Sequence, residues 1–322
     1  MNVANIDALA NQWYTKETVV PSQGRYTMTW HVPVAISLTV SFVVTPWLLK
    51  KNANLPSRTR RLSWQFGLCA AMTLVIALVS GAPISSAMLI IVGLGAVNSF
   101  GAYCQWRAIA ISLSKTSLFT WWDDLIAMAL GYTLLHETRY LEPFLALGVV
   151  ISIASVVTFP YVKRGNAEEA RLARREWKRL IGWVWGYSVI WGVAGYAMRS
   201  FALREIALPS FVASWYTGAF MGSLCIHLFA NATERGTALT LRDLRWVFPL
   251  SLAIMGALSL KYWAMSLAPL TVLQPFYQVG EMIMPTFVGL VIYKEARSLT
   301  RAEKTLFALA ISGGAIIALS FR

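Results

Sequence analysis

The chain has 322 residues, of which 57% are hydrophobic and 13% charged, and its mean hydropathy is +0.56. That composition excludes an ordinary soluble domain. The formal charge of +13 would suit a nucleic-acid binder, but most basic residues fall in short connections between apolar runs, so nucleic acid is not an expected partner.

In chain order, the first 31 residues are polar and carry Asp7, Lys16, Glu17 and Arg25. They lack the basic-then-apolar order of a cleaved signal peptide, so the first apolar run is expected to stay as a helix. A window of about 20 residues then finds ten candidate spans: Val32–Leu49, Trp64–Ser80, Ser85–Ser112, Ser117–Leu135, Leu141–Pro160, Leu180–Met198, Pro209–Ala230, Trp246–Leu267, Leu270–Tyr293 and Leu306–Phe321. The second is short and would tilt or thin the bilayer. The longest polar connection, Lys163 to Arg179, divides the chain into a polar segment 1–31, a first five-span set 32–162, a charged linker 163–179 and a second set 180–322. Within the linker, Glu168, Glu169, Arg171, Arg174, Arg175, Glu176 and Lys178 surround Leu172 and Trp177 and give oppositely charged neighbours at helical spacing. That pattern predicts a short surface helix.

Odd-numbered connections hold 20 of the 28 Lys and Arg residues, and the opposite side holds six. Basic residues stay cytoplasmic during insertion, so the charge pattern puts the odd connections inside and both termini outside. Anionic lipid is the expected partner of the excess charge.

Cys69, Cys104 and Cys225 all lie in apolar spans, where a thiol acts as a small hydrophobe, and no disulfide or metal framework is implied. No phosphate-cradling loop, His-Glu-x-x-His or Gly-x-Ser-x-Gly occurs, so an ATP-driven pump or zinc enzyme is unsupported and no cofactor is expected.

Two stretches 158 positions apart read as one unit: Thr120, Asp123, Gly131 and Glu137 correspond to Gln278, Glu281, Gly289 and Glu295. A duplication in an apolar chain points to a transporter of two bundles with its site between them. In the ninth span Gln274, Gln278, Glu281, Pro285 and Gly289 are spaced by 4, 3, 4 and 4 and share one helix face. Pro285 has no N–H for the Glu281 carbonyl, so a bend and a carboxylate coincide, with Pro275 a second possible bend. A membrane-depth charge costs on the order of 2.5–3.5 kcal/mol on insertion scales and persists only with a partner or a wet cavity.

The fourth span repeats the stripe with Thr120, Asp123, Ala127 and Gly131, while Asp124 lies about 100° further round. At most one of the two aspartates is therefore expected to point where Glu281's counterpart should, and position selects Asp123. Trp121, Trp122 and Tyr277 stand close to these acids in sequence, a combination that suits an ammonium group through cation–π attraction. Their alternative role is the interfacial aromatic belt. Lys261 and Arg107 could pair with the acids or bind a substrate carboxylate, Arg107 being placed to snorkel to the interface instead. Asn98, Gly101 and Gln105 form a weaker polar stripe, and Gly182/Gly186 and Gly218/Gly222 read as close helix packing.

The segment Tyr262-Trp-Ala-Met-Ser-Leu-Ala-Pro-Leu-Thr-Val-Leu-Gln-Pro275, then Gly289 to Glu295, Leu306 to Leu319 and, in the first half, Gln105 to Glu137 resemble the EamA-like branch of the drug/metabolite transporter superfamily. Trp191-Gly192 resembles the aromatic-Gly pair that opens a repeat. The resemblance covers most of 85–160 and 180–321. It implies an all-α integral membrane protein with ten helices in two inverted five-helix repeats, a central cavity and alternating access. It also implies a multi-pass protein of the bacterial inner membrane with both termini cytoplasmic, opposite to the charge pattern. The family's Gly before the glutamate ending helix four is His136 here and Lys294 in the second half.

The expected function is secondary transport of a small polar organic metabolite, with Asp123, Asp124, Glu281, Gln274, Gln278, Tyr277, Trp121, Trp122, Lys261 and Arg107 at the site and Pro275 and Pro285 as hinges. The chain is not expected to be an enzyme. The alternatives are a non-transporting membrane receptor and an enzyme acting on lipid head groups, for which His136-Glu137 is too sparse.

Overall fold

A computed structural model describes residues 30–120, 122–137, 167–236, 240–295 and 300–319, with single positions 147, 148, 150, 151, 154 and 158. Most of the fifth predicted span, residues 1–29 and Trp121 lie outside these. Among the described residues the protein is helical throughout: α1 (His31–Ala53), α2 (Arg58–Val79), α3 (Ala87–Ile111), α4 (Leu113–Phe119), α5 (Trp122–Leu134), α6 (Ala167–Leu203), α7 (Leu208–Phe229), α8 (Ala232–Arg235), α9 (Leu241–Leu267), α10 (Leu270–Phe287) and α11 (Arg301–Leu319). Five of these are long and apolar enough to cross a membrane: α1, α2, α3, α9 over Asp243–Leu267, and α10 with its extension to Ile292.

Polarity is distributed the opposite way from a water-soluble fold. Leu78, Val79, Leu89 and Phe229 are at least 78% exposed, whereas Asp124, Gln278, Asn98 and Gln65 are at most 2% exposed. An apolar exterior around buried polar groups suits hydrocarbon as the surrounding solvent.

Two predicted elements take a different form. From Ala167 on, the linker joins the sixth span as one 37-residue helix, α6, because nothing between Ala167 and Gly182 breaks a helix and Glu168 with Arg171 and Glu176 with Arg179 place opposite charges at i,i+3 spacing. The fourth span begins earlier and is interrupted. Ser112, in extended conformation, caps α4 by accepting from the Lys115 N–H, and at Thr120 the chain tightens, the Asp123 N–H donating to the Thr120 carbonyl at 3.0 Å. α5 therefore starts afresh at Trp122, with Asp123 and Asp124 in its first turn.

The prolines leave local signatures. α1 contains a π turn at Val40–Val44 just before Pro46, and α10 passes into a π turn at Val288–Ile292 after Pro285.

α7 packs on α3 and α2 at a distance set by glycine: a Cβ at Gly218 would stand 1.9 Å from the Val92 carbonyl oxygen and one at Gly95 2.1 Å from that of Trp215. The Gly218/Gly222 pair is thus a close-packing site, as its spacing predicts. Gly182 is not, since a Cβ there meets nothing within 4 Å, while Gly186 touches Cys104. Contacts recur in related pairs: α3 on α6 and α9 on α1, α3 on α7 and α9 on α2, α5 on α6 and α10 on α1.

Candidate functional site

α5 and α10 lie side by side, and their apposed faces bring three carboxylates together. Asp123, Asp124 and Glu281 each offer an oxygen within 4.8 Å of the others', and all three are buried. Both aspartates take part, contrary to the expectation that only one would. Because α5 starts at Trp122, both sit in its first turn, where Asp123 Oδ1 accepts the Asp124 N–H at 2.9 Å and Asp124 Oδ1 accepts from Gln274 Nε2. Tyr187 of α6 donates to Glu281 Oε1 at 3.3 Å. α6 reaches this depth because residue 192 is glycine: a Cβ there would stand 2.8 Å from the Asp123 carbonyl oxygen and 2.6 Å from Ile126 Cβ. Trp191-Gly192 thus acts as a packing pair at the acids.

One wall of a cavity of about 140 Å³ carries Asp123 and Glu281. Lys261 projects into it from α9, its Nζ 4.8 Å from the Tyr277 ring centroid and 6.0 Å from that of Trp191. The lining also includes Thr45, Gln65, Asn98, Trp106 and Trp191, each with a buried polar atom that has no hydrogen-bond partner among the described residues. Buried polar groups are normally satisfied, so a group of unsatisfied ones around one space marks where a polar guest or water belongs. α1, α2 and α3 line the cavity together with α6, α7, α9 and α10. Gln65, Trp106, Tyr187, Trp215 and Tyr216 were not singled out in the sequence; no motif or stripe distinguishes them from ordinary core residues.

The other predicted site residues divide. Gln274 contacts Asp124, and Gln278, one helical turn further along α10, is fully buried. Tyr277 packs edge-on against Phe42, their centroids 6.2 Å apart, and Pro285 lines the cavity whereas Pro275 does not. Trp122 lies outside the cavity and stacks on Trp185 with centroids 5.4 Å apart. Arg107 also lies elsewhere: its guanidinium pairs with Glu234, which Arg58 approaches to 3.3 Å, and packs over Trp183. Asn98 and Gln105 of the weaker stripe on α3 both reach the cavity, while Gly101 between them packs closely on α6, where a Cβ would stand 2.9 Å from Ile190 Cγ2.

The duplicated glutamates form matching contacts at the opposite ends of the α4–α5 and α10 pair. Glu137 Oε2 accepts from the Thr271 N–H at 3.0 Å and its hydroxyl at 2.8 Å, at the start of α10, while Oε1 takes Arg199 Nε at 3.4 Å. Glu295 accepts from the N–H groups of Leu113 and Ser114 at 3.0 and 2.9 Å and from the hydroxyls of Ser112 and Ser114, at the start of α4, and pairs with Lys50 at 3.1 Å. Each carboxylate satisfies the free donors of a helix N-terminus and meets its positive dipole end. Gly131 and Gly289 allow the approach: a Cβ at Gly289 would stand 2.8 Å from the Ser114 nitrogen, and one at Gly131 3.2 Å from Thr271 Cγ2.

The chain enters both corners through a left-handed residue, His136 at φ 53° and Lys294 at φ 57°. A side chain there costs about 1 kcal/mol relative to glycine, less the backbone entropy that glycine adds to the unfolded chain. Lys294→Gly is accordingly expected to leave stability unchanged or raise it by up to about 1 kcal/mol, read as a small rise in thermal midpoint. A clear fall would show that the Lys294 side chain outweighs its backbone strain.

No family model matches the chain, and no curated protein does. Among solved structures, one described only as the crystal structure of a protein superposes with a TM-score of 0.59, covering 92% of this chain and 98% of its own length at 17% identity. At that identity the likeness shows a shared fold and nothing of what the chain binds.

Proposed function

We propose that this protein is a secondary transporter of a small polar organic metabolite, working by alternating access as a member of the EamA-like branch of the drug/metabolite transporters. The observation that carries the reading is the cavity: acids from matching positions of two duplicated segments face one space, ringed by unsatisfied polar groups, inside an apolar exterior. A guest with an ammonium group suits Asp123, Glu281 and the aromatic walls, and a carboxylate suits Lys261. Amino acids and amines are therefore the first substrates to try. Ten helices in two inverted repeats agree with the duplicated stretches and with the recurring helix contacts.

The test is uptake and counterflow in vesicles reconstituted with the purified chain, after a thermal-shift screen of amines, amino acids, sugars and nucleotides, since a ligand of the folded form raises the midpoint. A solute that stabilises the protein and is accumulated only in protein-containing vesicles supports the reading. A stabilising ligand that no vesicle accumulates would favour a receptor instead.

A further inference from the structure

The three buried carboxylates raise a question that an organic substrate does not answer. Asp124 is absent from the cavity lining and faces Asp123 and Glu281 across the α5–α10 contact. Among the described residues none of the three acids makes an ion pair, and the one ammonium whose field reaches all of them is Lys261. Three carboxylates against one ammonium leave negative charge uncompensated in a low-dielectric interior, which a protein balances with a bound cation or with protons.

A second, independent observation points to a cation. Gln278 is fully buried, and among the described residues neither its Oε1 nor its Nε2 has a hydrogen-bond partner. It stands four residues after Gln274 and three before Glu281, so it shares the helix face from which both reach the acids. Gln274 repeats the pattern: its Nε2 is bonded to Asp124 while its Oε1, also buried, has no partner. Two amide oxygens without donors beside three carboxylates make an all-oxygen ligand set, the kind preferred by hard cations.

Calcium, like sodium of similar size, takes oxygens at about 2.3–2.6 Å in flexible geometry, whereas magnesium demands a near-ideal octahedron and usually keeps several waters. The carboxylate oxygens here lie within 4.8 Å of one another, inside the reach of one ion, and a buried set of protein oxygens suits the more flexible coordination of calcium or sodium. We infer that Asp123, Asp124, Glu281, Gln274 and Gln278 form a binding site for one hard cation of sodium or calcium size, set in the wall of the cavity. Bound there, the ion would join α5 to α10 and neutralise the acids beside the guest.

This site rests on geometry alone, so its test reads binding and not transport. The full chain, purified in detergent, is titrated with sodium, calcium, magnesium or potassium chloride at ionic strength held constant with choline chloride. Thermal midpoint and equilibrium binding of radioactive sodium or calcium are followed together. Saturable uptake of one sodium or calcium ion per chain is expected, and the two arms say which. Gln278→Leu keeps the volume and breaks no bond, so it should leave the ion-free midpoint unchanged while weakening the ion about 10- to 100-fold, as loss of a supporting ligand does. Asp124→Asn should abolish binding. No saturable binding of either ion to the folded wild-type chain would overturn the site and leave protons to balance the acids. Undiminished binding in folded Gln278→Leu or Asp124→Asn would overturn it too, by placing the ion elsewhere.

Discussion

Replacing Glu281 by glutamine is expected to lower transport roughly 10- to 100-fold while leaving the thermal midpoint unchanged or higher. Glutamine keeps the size of the side chain and can still accept the Tyr187 hydroxyl bond, so little packing is lost. What disappears is a charge, and hydrogen bonds to charged groups contribute about 1.5–3 kcal/mol, equivalent to roughly one to two powers of ten. The three carboxylates crowd within 4.8 Å and, among the described residues, have no ion pair, so removing one relieves repulsion in the empty protein. A group that holds the fold together would behave in the reverse way, its loss leaving a buried partner unpaired. Asp123→Asn, at the matching position of the first segment, should follow Glu281→Gln. The paired measurement is substrate uptake and thermal midpoint for both variants. Normal transport in both would remove these acids from the mechanism and leave Lys261 and the aromatic walls to carry it.

Glu295→Gln should show the opposite profile, a loss of stability of about 3–5 kcal/mol that lowers the midpoint by several degrees. Lys50 is 6% exposed, and once the carboxylate charge is gone its ammonium has neutral acceptors such as the Ile109 carbonyl, 2.7 Å away, but no counter-ion among the described residues. Replacing both members, Glu295→Gln with Lys50→Met, should recover part of the loss, because a buried ion pair removed whole costs far less than one removed by half. The same contact predicts a pH response. Burial opposes ionisation of Glu295, but the Ser114 and Leu113 donors and the Lys50 charge outweigh it and hold the carboxyl below its ordinary value of 4.5. A group depressed in the folded state contributes its stability above the unfolded value and loses it as pH falls through the folded one. The wild-type midpoint should therefore drop below about pH 4.5 more steeply than that of Glu295→Gln. Parallel pH profiles for the two proteins would show that Glu295 contributes no such linkage.

Much of this protein was legible in one dimension because the physics involved is one-dimensional. A bilayer demands apolar runs of fixed length, so α1, α2, α3, α9 and α10 stand out from hydropathy alone. Helical periodicity puts Gln274, Gln278, Glu281 and Pro285 on one face whatever that face meets, and the duplication pairs Asp123 with Glu281 before any contact is known. What surrounds those residues depended on the fold. Asp124 joins the acids in the first turn of α5, past the tightened turn at Thr120, a feature that periodicity passes over. Arg107, equally basic and also inside a span, is drawn away by Glu234, 127 positions further along. Glu137 and Glu295 read as repeated letters, and only the crossing of α10 with α4–α5 makes each one the cap of the other segment's helix. Gln65, Trp106 and Tyr187 carried no signal at all, since a residue lines a cavity by virtue of what three or more helices leave unfilled between them. Periodicity assigns a side chain its direction; tertiary packing decides whether that direction ends in lipid, a neighbouring helix or a wet space.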